Sequence, residues 1–175
     1  MRAFCVLSLL LSALLTTVSC KESNSSIAID ACALVTKAEV EKAAGVSVTS
    51  IVVEAPHAVS MSSGTVMEST ASCSYMLEPA AGKPARIKIN VDAFRDHFMA
   101  LTDFTQWRGA KRAVGLGDDA WQDPTALEIL KKNVVLVVET DPTQESPKDP
   151  IPPSEENQEY PGIQAVLAQI ALRRL

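Results

Sequence analysis

The sequence predicts an α+β domain: an antiparallel β-sheet of about five or six strands packed against two or three helices. Three observations predict it. Several runs alternate polar and apolar residues at period two, most cleanly Arg86-Ile87-Lys88-Ile89-Asn90-Val91. The links between neighbouring strand runs are short, which favours antiparallel pairing. Helical spacing recurs near the start, middle and end of the chain, so helices are available to cover one or both sheet faces.

The elements follow in order. Thr36-Lys37-Ala38-Glu39 is a capping box, with Val35 and Val40 placed as a hydrophobic staple and Gly45 at the left-handed C-terminal position. A short helix over 37–44 is therefore expected. The β-branched run Val46 to Glu54 reads as a strand that Pro56 ends, followed by a Ser-rich loop to Val66. Glu68 to Leu77 alternates through Cys73 and Tyr75, and Glu78 to Pro84 is a turn. Ala93 to Trp107 carries Phe94, Phe98, Leu101 and Thr105 on one helical stripe, with Arg95, Asp96 and Asp103 away from it. Ala120 to Gln122 is a short strand after a glycine-punctuated connector. Leu127 to Lys131 and Val134 to Glu139 form a hairpin around Lys132-Asn133, where Asn133 suits a positive φ. Residues 141–161 hold six of the ten prolines and six acidic residues against one lysine, a composition expected to remain disordered. Ile163 to Leu175 regains helical spacing, with Ile163, Val166, Leu167 and Ile170 on one face.

The N-terminus bears on location. Arg2, the apolar run Ala3 to Val18 and the small residue Ser19 have the layout of a secretory signal over residues 1–19. The following Cys20 resembles the lipobox cysteine of bacterial lipoproteins, which implies a lipidated N-terminus. Thr17 stands where lipoboxes usually carry Leu, and simple secretion is the rival reading. Residues 20–28 then form a polar tether, and 29–175 a single domain. The expected location is the bacterial cell envelope, lipid-anchored on the periplasmic face or the cell surface. Two cysteines remain in the domain, Cys32 and Cys73, and in an exported chain they most simply form one disulfide.

Charge and motifs exclude more than they identify. A net charge of −5 argues against a nucleic-acid partner and gives no basic attraction to anionic lipid. The membrane is reached through the lipid alone. No G-x-S-x-G, H-E-x-x-H or phosphate-loop pattern occurs, and no metal or cofactor is expected. Asp118, Asp119 and Asp123 lack the spacing of a calcium loop and read as turn-forming carboxylates. His97 is expected to pack its ring at the core boundary. Aromatic residues are 5% of the chain, so Tyr75, Trp107 and Trp121 are the candidate walls of a binding surface, together with the loop around Ser60 to Ser63 and the Pro/acidic segment.

Asp30 to Val40 (Asp-Ala-Cys-Ala-Leu-Val-Thr-Lys-Ala-Glu-Val), Cys73 to Tyr75, Gly115 to Trp121, the Lys131-Lys132-Asn133 hairpin and a final helix together resemble the small exported bacterial lipoproteins of unknown function. The resemblance implies a lipobox, the Cys32–Cys73 disulfide and a compact α+β fold like that of the PsbP-type domains. It implies no activity. The expectation is an envelope-anchored binding module, without catalysis, for an envelope protein partner or a small apolar ligand. The rivals are a hydrolase using His97 with a carboxylate and an inhibitor or immunity-type protein.

Overall fold

A computed structural model describes residues 28–60, 66–105, 111–141 and 162–175. The elements are α1 (Ala31–Leu34), α2 (Lys37–Ala44), β1 (Val48–Ser60), β2 (Val66–Leu77), β3 (Arg86–Phe94), α3 (His97–Phe104), β4 (Lys111–Arg112), β5 (Asp119–Gln122), β6 (Ala126–Lys131), β7 (Val134–Thr140) and α4 (Ile163–Leu172). The strands form one seven-stranded antiparallel sheet in the order β1-β2-β3-β7-β6-β5-β4. The class is the expected one, with seven strands where five or six were anticipated and with α1 as an additional one-turn helix. The added strand is the two-residue β4, too short to show periodicity.

Side-chain alternation assigns the two faces. Ile87, Ile89 and Val91 of β3, Leu127 and Ile129 of β6, and Val134, Leu136 and Val138 of β7 join the main core beneath α1, α2 and α4. The opposite residues Phe94, Leu130 and Val135 form a second, smaller core with Ala100 and Phe104 of α3. The sheet is thus covered along one face by three helices and at one end of the other face by one.

α2 forms as its sequence dictates. Thr36 Oγ1 accepts from the Glu39 amide, Glu39 Oε2 accepts from the Thr36 amide at 2.8 Å, and Gly45 ends the helix at φ 70°. α1 has only one turn and cannot stand alone. Asp30 Oδ1 accepts from the Cys32 amide, and a disulfide ties Cys32 to Cys73 of β2, with Cα atoms 5.1 Å apart. The carbonyls at its C-terminal end find partners elsewhere in the fold: Tyr75 donates its hydroxyl to Val35, and Arg174 donates to Leu34 at 2.7 Å. Arg174 also pairs with Glu39 at 2.7 Å, clasping the chain's end onto α2.

Four expectations are corrected. β1 runs through Pro56 to Ser60 rather than ending there. It is an edge strand, where a missing amide hydrogen is tolerated, and its register with β2 shifts between Glu54 and His57. Ala93 and Phe94 belong to β3, and α3 starts at His97, capped by Asp96 Oδ1 on the Met99 amide at 3.0 Å. The stripe is therefore rotated: Ala100 and Phe104 are buried, whereas Phe98 is 76% exposed and Leu101 is exposed. In α4 the buried residues are Gln164, Ala165, Leu167, Ala168 and Ala171, while Val166 is exposed. Finally, Lys132 rather than Asn133 takes the positive φ (56°) of the β6–β7 hairpin. Asn133 instead donates its amide to the Phe94 carbonyl at 2.7 Å.

Gly117 is required where it stands. Its φ is 60°, and a Cβ there would lie 2.4 Å from the Leu130 carbonyl oxygen. The Gly115-to-Asp119 turn is thereby held against the end of β6, with Leu116 buried in the main core.

Candidate functional site

The residues singled out in the sequence scatter. Tyr75 is not a surface residue: it is 1% exposed, and its phenol is bonded within the fold. Its strand alternation puts it on the helix-covered face beside Cys73. Trp121 lies in β5, half-buried against the second core. Trp107, Cys20, residues 61–65 and residues 142–161 lie outside the described residues. His97 is exposed rather than packed on the core, and its Nδ1 contacts the Lys132 carbonyl. The turn carboxylates are all engaged in structural hydrogen bonds. Asp123 Oδ1 accepts from the Thr125 and Ala126 amides at 2.7 Å, and Asp118 accepts from the Lys132 amide. Asp119 accepts from Arg112 at 3.0 Å. Among the described residues no group of His, Cys, Asp and Glu is arranged to hold a metal ion.

One titratable site emerges that the sequence reading passed over. Glu128 stands on the α3 side of β6, where its cross-strand neighbours are Trp121 of β5 and Val137 of β7. It is 5% exposed, and its Oε1 has no hydrogen-bond partner among the described residues. Burial in these surroundings, with the charges of Asp103 and Asp92 adding to it, pushes its carboxyl up to about 8. Burial also raises Asp92 and Asp103 above the usual carboxylate range; Asn90 steadies Asp92 by donating to Oδ2 at 3.0 Å. At neutral pH Glu128 therefore holds a proton and can act as a donor. The signal in the sequence is a lone Glu inside the apolar run Leu127-Glu128-Ile129-Leu130. Period two alone sends that residue to solvent, because the covering helix α3 is a tertiary feature.

The second feature is the contrast between the two sheet edges. β4 is two residues long and carries Lys111 and Arg112, a blunt and charged edge. β1 is thirteen residues long and, among the described residues, pairs only with β2. Its centre exposes three consecutive β-branched residues: Ile51 (41%), Val52 (60%) and Val53 (59%). Ile51 and Val53 oppose Tyr75 and Cys73, on the helix-covered face; Val52 opposes Ser74, on the other. The edge is therefore apolar on both sides of the sheet, and the run from Val46 to Val53 contains no charge. Glu54 follows it, accepting from Ser72 at 3.1 Å with His57 at 3.9 Å.

Among the described residues no helix is long and apolar enough to cross a membrane. No protein-family model matches the chain, and no curated protein or solved structure is significantly similar to it.

Proposed function

We propose that the chain is an exported, lipid-tethered binding module that engages a protein partner along β1 and performs no catalysis itself. The observation that carries this reading is the open centre of β1, where Ile51, Val52 and Val53 stay exposed on both sheet faces. A strand edge with free backbone groups and apolar side chains is suited to receive an extended segment of another chain, whose amides complete the ladder. The disulfide supports export, because such bonds persist in oxidising compartments. The tether rests on the signal-like leader and Cys20. A small apolar ligand is the weaker alternative, since the exposed apolar residues lie along an edge. In the rival hydrolase reading His97 would work through Nε2, since its Nδ1 contacts the Lys132 carbonyl.

Two measurements test this. The intact mass of membrane-extracted protein should equal the chain from Cys20 plus acyl groups; an unacylated chain would remove the tether. A photocrosslinking residue at Val53 should give a discrete adduct in intact envelopes, and one at Lys42, exposed on α2, should not. Absence of any Val53 adduct would end the β1 reading.

A further inference from the structure

Granting that reading of β1, we propose that its partner strand is β1 of a second copy of this chain, paired antiparallel about a two-fold axis through Val52. The register of β1 against β2 is what selects this arrangement. Shifts occur between Val48 and Ser50 and again between Glu54 and His57, and Pro56 removes a donor just beyond. Bulges and prolines are how sheet edges are closed to incoming strands. They leave one regular window, Ser50 to Glu54, and Val52 is its midpoint.

Reversing this window onto itself gives a self-complementary match. Val52 meets Val52 of the second copy, and Ile51 meets Val53 on the helix-covered side. Ser50 meets Glu54, both on the other side, so a hydroxyl donor faces a carboxylate. The two Glu54 carboxylates fall at opposite ends of the window, and no like charges meet. A two-fold interface requires a patch to match its own reverse, and this one does so residue by residue. Pairing would cover the apolar edge on both faces at once, which a ligand seated on one face could not do. It would also close the assembly, since the remaining outer edges are the short, basic β4 strands.

Cysteine crosslinking of the full-length chain in isolated envelopes tests the axis. Val52→Cys should give a dimer on an unreduced gel, because directly opposed Cβ atoms stand about 5 Å apart. Ser50→Cys alone should not, because its two copies would be about 13 Å apart along the strands. The double variant Ser50→Cys/Glu54→Cys restores opposed pairs and should dimerise again, which covers the case that Val52→Cys fails to accumulate. Val52→Cys crosslinking no better than Lys42→Cys would overturn the proposal. So would dimers from Ser50→Cys alone. A Val53 photoadduct with a protein of different mass would overturn self-pairing while leaving β1 as a contact surface; no adduct at all would remove both.

Discussion

Replacing Cys32 and Cys73 together with Ala should lower the stability of the domain by about 4 kcal/mol, the largest loss expected from any single covalent change. The bond closes a loop of 41 residues, and constraining a loop of that length in the unfolded chain is worth about that much in chain-entropy terms. The native state adds to the reason for the bond. α1 is one turn long, its first amides donate to Asp30, and its far end depends on Tyr75 and Arg174. Without the disulfide that segment is held to the sheet by its buried residues Ala31, Leu34 and Val35 and by those few hydrogen bonds. In thermal melts the double variant should unfold roughly 10–20 °C below the parent, and reductant should bring the parent down to the same midpoint. A shift of less than about 2 °C would mean that the bond does little to define the fold. Ala rather than Ser is the appropriate replacement, because residue 73 is wholly buried and a hydroxyl there would need a partner.

The sheet and α2 were legible in the sequence because each is fixed by local rules. In β3 the burial alternates residue by residue as Arg86-to-Val91 predicts, and the Thr36–Glu39 box forms both of its bonds. Helices α3 and α4 were placed nearly correctly but faced wrongly. Their sequences are apolar on more than one side, so periodicity alone did not choose; Phe94 misled further by looking helical while pairing in β3. β1 was cut short because Pro56 reads as a terminator, and only its position at the sheet edge makes it harmless. The candidate site was less legible still. Trp121 was picked for its type, yet its significance comes from facing Glu128 across β5 and β6. Exposure of Val52 and Val53 depends on β1 lying at the edge of the sheet that the described strands form, which strand order decides and composition does not.

Glu128→Gln should make the domain more stable at pH 8 and nearly unchanged at pH 4.5. In the unfolded chain this carboxyl ionises near its ordinary value of 4.5, whereas burial between Trp121 and Val137 holds the folded form protonated up to about 8. Below pH 4.5 both states carry the proton and the group costs the fold nothing. As the pH rises from 4.5 to 8 the unfolded chain releases a proton that the folded chain retains, and stability falls by about 1.4 kcal/mol per pH unit at most. Across that window the fall has a ceiling of about 5 kcal/mol, and water entering the site would reduce it to roughly half that. Asp92 and Asp103 are raised by burial and act in the same direction. Glu39 acts in the opposite one: the bond from Arg174 lowers it to about 2, so its contribution is present above 4.5 and is lost as the pH falls toward 2. Stability should therefore peak near pH 4.5–5. Gln keeps the shape and removes the ionisation, so urea midpoints of the variant should fall less steeply between pH 5 and 8 than those of the parent. Identical slopes would show that Glu128 is ionised in the folded chain, stabilised by a partner that this site does not display. A flattened slope would establish that the fold carries a neutral carboxylic acid beside Trp121, in a sheet face that α3 covers only at one end.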